Sequence, residues 1–252
     1  MTKSVNIAHP QGGPKESAAS EISYGLDTPE LAEHYEVESE VQRWIGRHVI
    51  GALKPYKGMC LLDVGCGTGV VSCYAADEVG EDGLVVGVDV LPSRIETAQR
   101  KAWKNVSFVV ADAHDLRRLY RYKFDGGFST STWHWLRDPA MALCQVYDIM
   151  EPNAPFALST GSAVHPFYLA EILAEMKGDY PNAEKGFPKF HTRIEIEKLF
   201  HDARFHIRDI HALHCPITKQ ARKRCWNSGG RQCLEIFLVT SASIDDRPRK
   251  SI

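Results

Sequence analysis

The stretch that decides the fold is Leu-Leu-Asp-Val-Gly-Cys-Gly-Thr-Gly at residues 61–69. Its apolar half is typical of a buried parallel strand, and its glycines allow a tight turn that leads into a helix. Such a turn presents backbone N–H groups and a helix N-terminus to a ligand at the carboxyl edge of the sheet. The spacing is Gly-x-Gly-x-Gly rather than the Gly-x-Gly-x-x-Gly of dinucleotide enzymes, and Asp63 would repel a pyrophosphate. The loop therefore predicts an adenosine-like ligand that carries positive charge.

From residue 59 onward, short apolar runs alternate with segments of helical periodicity. Asp138 followed by Pro139 is typical of a capped helix start, and Thr192-x-x-Glu195 is a capping box. Two later apolar runs predict an antiparallel strand pair at the sheet edge. The alternation predicts an α/β fold, namely a doubly wound, Rossmann-like, mainly parallel sheet of seven strands. The predicted strands are 59–64, 84–89, 106–111, 124–129, 156–160, 205–213 and 233–240.

The segments around these strands predict the domain organisation. Residues 1–27 are rich in glycine, proline and serine and contain no apolar block, so we expect a flexible lead-in. Residues 28–244 are predicted to form one domain that begins with a helical arm. Within this domain, an insertion at about 162–190 is predicted to be a small helical cap over the ligand edge. Residues 245–252 are expected to form a flexible tail.

Composition excludes several classes of function. The 252 residues carry 30 basic and 32 acidic side chains, and the net charge of -2 gives no overall attraction to nucleic acid or anionic lipid. No apolar run approaches the roughly 18 residues that a membrane-spanning helix needs. The seven cysteines include no Cys-x-x-Cys pair, which predicts reduced thiols. We therefore expect a cytoplasmic monomer or homodimer that acts on a small molecule and has no nucleic-acid partner.

Three histidines near the C-terminus suggest a metal site: His206, His211 and His214. In a regular strand successive side chains alternate between the two faces, which predicts that His211 lies opposite the other two. The three histidines then do not share one face, so they cannot form a three-ligand site, and we predict that this protein binds no metal there.

Acidic residues end the second and third predicted strands. Asp89 lies 24 residues after Gly65, at a position where a carboxylate can bind both ribose hydroxyls. Val90 can pack on a purine face, and Asp112 can accept a hydrogen bond from an exocyclic amine. Because these residues follow the glycine loop in the expected order, they indicate an adenosine site more strongly than the glycines alone.

On these residues the chain resembles the class I S-adenosylmethionine-dependent methyltransferases, over roughly residues 28–160. The resemblance implies that S-adenosylmethionine is the cofactor and S-adenosylhomocysteine the product. It also implies that the loop at 63–69 holds the methionine part, Asp89 the ribose, and Asp112 with Ala113 the adenine. One departure is Asn153-Ala154, where the family usually has two glycines, although asparagine tolerates a left-handed backbone. The implied cofactor site consists of Tyr35, Asp63, Gly65, Cys66, Gly67, Gly69, Asp89, Val90, Asp112, Ala113 and Ser129.

Two segments predict the acceptor side of the site. Trp133-His134-Trp135 follows the fourth strand, and Tyr35 and Gln42 lie seven residues apart on the N-terminal arm. These segments resemble those of the insect juvenile hormone acid and farnesoic acid methyltransferases. The resemblance implies that Gln42 and Trp135 hold a substrate carboxylate by neutral hydrogen bonds. Because a carboxylic acid of pKa about 4 is already ionised at neutral pH, this acceptor needs no base. We therefore expect methyl transfer to a small, mainly apolar acid.

Other interpretations stay open at this point. Gln42 is equally compatible with a solvated helix position, and His134 with a core histidine bonded to the backbone. A phenol or amine acceptor, as in natural-product methyltransferases, would need a base, for which His134 is the candidate. The basic residues between 219 and 231 fit a solvated loop or an RNA methyltransferase. A cofactor-binding regulator without turnover is the last alternative, and the methylated atom could be O, N, S or C.

Overall fold

The computed structural model describes residues 28–30, 32–33, 40–101, 103–118, 123–163, 189–215 and 234–243. The helices are α1 (Glu40–Leu53), α2 (Val70–Val79), α3 (Pro92–Gln99), α4 (Pro139–Ile149) and α5 (Arg193–Asp202). The strands are β1 (Cys60–Val64), β2 (Leu84–Asp89), β3 (Val106–Val110), β4 (Gly126–Thr130), β5 (Pro155–Gly161), β6 (Phe205–Cys215) and β7 (Leu234–Ser243). Short 3-10 segments cover Ala113–Arg118 and Trp133–Trp135.

The strands form one sheet in the order β3-β2-β1-β4-β5-β7-β6. Strands β1 to β5 are parallel, and β7 runs antiparallel to both β5 and β6. The predicted doubly wound sheet of seven strands is therefore confirmed. From β1 the chain proceeds to β2 and β3 on one side and later to β4 and β5 on the other. In open sheets of this kind, ligands bind at the carboxyl ends of the strands where the order reverses, which here is the end of β1.

Helices cover both faces of the sheet. On one face α1 and α2 pack in an apolar cluster with Phe128 of β4 and Ala157 of β5. On the other face α4 and α5 pack in a second cluster with Phe156 and Leu158 of β5. Helix α1 packs directly on β4 and β5. These contacts assign a face to each residue of the central strands, because side chains alternate along a strand.

The helix starts that were predicted from local signals are confirmed. The Asp138 side chain accepts a hydrogen bond from the Met141 N–H (2.9 Å), and Pro139 occupies the first turn of α4. At the start of α5, Thr192 and Glu195 form both halves of a capping box. The turn before β5 contains Asn153 at φ 61°, so asparagine supplies the left-handed backbone expected there.

The predicted orientation of the histidines in β6 is wrong. An irregularity between Ile207 and Asp209 shifts the register with β7, so His206 pairs with Ala242 whereas His211 pairs with Leu238. Because Ala242 and Leu238 are four residues apart, His206 and His211 share a face, and His214 lies on the other. In the described part of the chain, no group of three or more His, Cys, Asp or Glu side chains could hold a metal ion.

Several predicted features lie outside the described residues. They are the lead-in at 1–27, Tyr35, most of the cap (164–188), the basic segment between 219 and 231, and the tail at 245–252. Within the described ranges, Cys60, Cys66, Cys73 and Cys144 form no disulfide bond. None of the helices that the structure describes is long and apolar enough to cross a membrane.

Candidate functional site

The glycine loop follows β1 at the carboxyl edge of the sheet. Gly65, Gly67 and Gly69 have φ values of 75°, 54° and 80°, a region that favours glycine. Close neighbours also exclude a side chain, because a Cβ at Gly65 would lie 2.2 Å from Thr132 Oγ1 and one at Gly69 would lie 2.4 Å from the Phe108 ring. The loop is thus held between the end of β4 and the third strand, with α2 beginning directly after it.

Asp89 ends β2 beside this loop and is buried. Its Oδ2 accepts a hydrogen bond from the Gly67 N–H (2.8 Å), and its Oδ1 accepts one from the Leu91 N–H (3.0 Å). These two hydrogen bonds fix the orientation of the carboxylate, whose oxygens can each accept more than one hydrogen bond. Val90, next to it, is half-buried. The predicted ribose-binding carboxylate is therefore located at the loop.

Asp63 is the second acidic group of the loop and is 1% exposed. Its Oδ2 accepts a hydrogen bond from the Ser72 hydroxyl (2.6 Å). Burial, with a smaller contribution from the charge of Asp89, raises the pKa of Asp63 to about 7 against the lowering effect of the Ser72 hydrogen bond. A positively charged ligand would be attracted to these two buried carboxyl groups, Asp63 and Asp89. The same surroundings raise the pKa of the Cys66 thiol well above its ordinary value, so Cys66 is not a thiolate nucleophile.

The loop also contains an unpartnered polar atom. Thr68 is 1% exposed, and among the described residues its Oγ1 has no hydrogen-bond partner. Buried hydroxyls are usually bonded, so an orphaned one at a glycine loop is consistent with a ligand that completes it. Together with the two carboxylates, this observation fits a cationic adenosine compound at the loop.

Asp112 and Ala113 follow β3, as the sequence predicts, but the structure adds His114. Asp112 Oδ1 accepts hydrogen bonds from the His114 backbone N–H (2.9 Å) and lies 2.6 Å from its Nδ1. The Asp138 backbone N–H donates to His114 Nε2 (3.3 Å), so Nδ1 carries the proton and donates to Asp112. His114 therefore orients the carboxylate and joins it to the start of α4. The only sequence signal for this role is the Asp-x-His spacing, which sequence analysis missed.

Ser129 lies in β4 and is fully buried. Its hydroxyl donates a hydrogen bond to the Val64 carbonyl (2.7 Å), which ties β4 to β1 just before the glycine loop. The side chain is thus engaged within the sheet, and any contact of Ser129 with a ligand is left to its backbone.

His134 lies in the short 3-10 segment that follows β4. Its ring stacks on Phe190 (centroids 5.2 Å apart), and the Gly161 N–H donates a long hydrogen bond to Nδ1 (3.4 Å). The Lys189 N–H donates to the His134 carbonyl (2.7 Å). This hydrogen bond joins the C-terminal end of the predicted cap to the 3-10 segment. Burial, followed by the charge of His191, lowers the pKa of His134 to about 4. At neutral pH His134 is therefore a neutral ring and a weak base.

The two predicted carboxylate-binding residues are placed differently. Trp135 is 44% exposed next to His134, whereas Trp133 is buried in the core. Gln42 lies on the same row of α1 as Ile45, Val49 and Leu53, all of which are buried, so it faces the sheet rather than solvent. The alternative of a solvated Gln42 is therefore not supported. Tyr35, predicted beside Gln42, lies outside the described residues.

Comparison with known proteins supplies independent information. A family model described as a methyltransferase domain matches residues 55–195. The aklanonic acid methyltransferase DauC of Streptomyces sp. (strain C5) is 32% identical over 120 residues, which are 46% of this chain and 54% of that protein. The ubiquinone biosynthesis O-methyltransferase of Azorhizobium caulinodans is 29% identical over 168 residues, 65% of each. The chain thus spans between about half and two thirds of these relatives' lengths.

Solved structures support the fold. A SAM-dependent methyltransferase from Aquifex aeolicus superimposes with a TM-score of 0.61 at 18% identity, over 86% of this chain and 99% of that chain. At this identity the likeness concerns the fold alone, and it agrees with the sheet order described above.

Proposed function

This chain belongs to the class I S-adenosylmethionine-dependent methyltransferase domain family, and from that premise we propose that it methylates a carboxylate oxygen of a small, mainly apolar acid. S-adenosylmethionine supplies a methyl group on a positively charged sulfur. In the proposal, the glycine loop with Asp63 holds the methionine part, Asp89 the ribose, and Asp112 with Ala113 the adenine. The buried carboxylates and the orphaned Thr68 hydroxyl support this assignment.

The strand order supports the location of the acceptor. Asp89 and Asp112 follow β2 and β3, on one side of the glycine loop, and β4 and β5 lie on the other. A ligand whose adenosine end occupies the first side directs its other end toward β4. The acceptor is therefore expected over the carboxyl ends of β4 and β5, where Gln42, His134 and Trp135 are found.

The observation that carries the proposal is the state of His134. With its pKa lowered to about 4 by burial, this ring is a poor base for a phenol of pKa about 10. A carboxylate needs no proton removed at neutral pH. Its methylation requires mainly that the protein aligns it, holds it by neutral donors and excludes water. The name of one relative, an aklanonic acid methyltransferase, also favours an acid acceptor.

A labelled-methyl assay tests the proposal. Fatty, terpenoid and aromatic acids are compared with phenols and amines of matched size, at saturating S-adenosylmethionine. We expect methyl esters from one or more acids, with a kcat that stays constant between pH 6 and pH 8. Transfer to phenols or amines in the absence of transfer to any acid would contradict the carboxylate assignment. Asp63 also titrates near pH 7, but at saturating S-adenosylmethionine its titration is expected in the KM for that cofactor, so a kcat rising with pH through this range would indicate a base.

A further inference from the structure

Besides Trp133 Nε1, whose ring lies in the cluster on the face of the sheet opposite α1, two polar atoms on the acceptor side of the crevice are buried without a partner among the described residues. They are Gln42 Oε1 in α1 and Thr130 Oγ1 at the end of β4, and neither has a hydrogen-bond partner among the residues that the structure describes. Leaving such groups unpaired is unfavourable, and native proteins rarely do so without a reason. The neighbouring hydroxyls are engaged: Ser129 Oγ donates to the Val64 backbone carbonyl, and Thr132 Oγ1 lies within hydrogen-bond distance of the backbone carbonyls of Gly65 and Thr130.

Both side chains are directed into the same layer. Phe128 belongs to the cluster formed with α1, and Thr130, two residues later in the same strand, therefore points to the α1 face of the sheet. Gln42 lies in the first turn of α1, half-buried, on the row of residues that faces the sheet, and α1 packs on β4 and β5. The Gln42 amide thus faces β4 and the Thr130 hydroxyl faces α1, across the space between the helix and the strand.

This space opens at the ligand edge of the sheet. Gly46 of α1 packs so closely on Val71, in the first turn of α2, that a Cβ there would lie 2.6 Å from Val71. Because α2 begins at the carboxyl edge, Gly46 lies near that edge and Gln42 lies one turn further toward solvent. Thr130 is the last residue of β4. The two orphaned groups are therefore located where the acceptor is expected.

We propose that the Thr130 hydroxyl binds the acceptor's carboxylate together with the Gln42 amide, an inference that rests on the proposed function. The hydroxyl donates one hydrogen bond. A half turn of the Gln42 amide exchanges its oxygen and nitrogen, so the same position supplies the second donor. Both donors are neutral and leave the carboxylate its charge. Thr130 is thereby an acceptor-binding residue that no motif in the sequence indicated.

Three variants test the inference in the full-length protein. Thr130→Val keeps the shape and removes the hydroxyl, and Thr130→Ser keeps the hydroxyl. The control is Ser241→Ala, because Ser241 Oγ is also buried but donates to the Phe156 carbonyl (3.2 Å) near the amino end of β5, away from the ligand edge. For each variant we measure the melting temperature, the dissociation constant of S-adenosylhomocysteine, and kcat and KM for the best acid of the panel.

Thr130→Val is expected to raise the acid's KM by about tenfold or more, since a hydrogen bond to a charged group is lost. Its melting temperature should rise by about 2–4 °C, because an unpaired buried hydroxyl has been removed, and the affinity for S-adenosylhomocysteine should not change. Thr130→Ser should keep the wild-type KM. Ser241→Ala should lower the melting temperature and leave KM unchanged.

The outcomes separate the two proposals. A wild type that esterifies acids, with an unchanged KM in Thr130→Val, overturns the inference alone. A lower melting temperature for Thr130→Val also overturns it, because the hydroxyl would then have a structural partner. A wild type that binds S-adenosylhomocysteine but methylates no acid contradicts the proposed function, and the inference with it.

Discussion

Asp89 has two roles in the proposed cofactor site. Its two oxygens accept hydrogen bonds from Gly67 and Leu91, so the same carboxylate shapes the glycine loop and is proposed to bind the ribose. We expect Asp89→Ala to weaken S-adenosylhomocysteine binding by about 100-fold, since hydrogen bonds to a charged group contribute about 1.5–3 kcal/mol each. Titration calorimetry measures this change.

A matched control for Asp89 is available at the opposite edge of the sheet. Asp125 also accepts a hydrogen bond from a backbone N–H, that of Cys60 (2.9 Å), at the amino end of β1. Asp125→Ala should lower stability and leave S-adenosylhomocysteine affinity at the wild-type value. If both variants lost the same affinity for S-adenosylhomocysteine, the Asp89 carboxylate would act by supporting the fold and not by binding the ligand.

The neutral state of His134 leads to a prediction about the rate. If the acceptor is a carboxylate, removing the imidazole deletes packing against Phe190 but no proton transfer. We expect His134→Gln and His134→Ala to lower kcat for the best acid by less than about tenfold, whereas loss of a general base typically costs about 100-fold to 10,000-fold. Steady-state kinetics at pH 7.5 decide the point. A loss in the larger range would return His134 to the role of base.

Individual side chains differ in how far the sequence predicts them. The loop glycines and Asp89 were predictable because tight turns and strand ends leave a local pattern. His114 and Thr130 were not, because their roles depend on partners distant in the chain: His114 is bonded by Asp138, and Thr130 is notable for lacking a partner. A missing hydrogen bond has no signature in the sequence.

The end of β5 and the segment after the cap interlock through one glycine. A Cβ at Gly161 would lie 1.9 Å from the ring of Phe190, which in turn stacks on His134. The Ala163 N–H also donates to the His191 carbonyl (3.2 Å), so the two segments are bonded to each other next to the ring. The absence of a side chain at position 161 thus creates the space that Phe190 occupies.

Gly161→Ala is therefore expected to be destabilising by about 1–3 kcal/mol, the usual cost of overpacking. The same substitution made in a Phe190→Ala background should cost clearly less, because the ring that it would displace is gone. Urea unfolding of the four proteins of this double-mutant cycle measures the coupling. Additive losses would show that Gly161 is required for a reason other than Phe190.

Strand positions were predicted better than strand irregularities. The run at 84–89 coincides with β2, because β-branched residues in a short apolar block are a direct signal. The register shift between Ile207 and Asp209 in β6 was missed, and it reversed the predicted face of His211. A bulge is determined by pairing with a partner strand, here β7, and alternation within a single strand does not reveal it.

The complete sheet explains why two acidic groups can be buried beside each other. Strands β1 and β2 are neighbours, so Asp63 and Asp89 are carried to the same ligand edge. Burial raises the pKa of Asp63 to about 7, which means that the folded protein binds this proton more tightly than the unfolded chain, where the pKa is about 3.8. The fold thus keeps a site for positive charge at the expense of stability above pH 7.

This linkage gives a prediction for the stability of the entire protein without cofactor. Because the folded pKa is raised, the contribution of Asp63 is most favourable below pH 4 and is lost as the pH rises toward 7. Asp63→Asn removes the titration, and its amide oxygen can still accept from Ser72. The variant should therefore gain on the wild type between pH 4 and pH 7, by at most about 4 kcal/mol, and keep that advantage above pH 7. Urea unfolding of both proteins from pH 5 to pH 8 measures the difference. Parallel stability curves over this range would mean that the Asp63 carboxyl titrates normally. Its burial would then give no reason to expect a positively charged ligand.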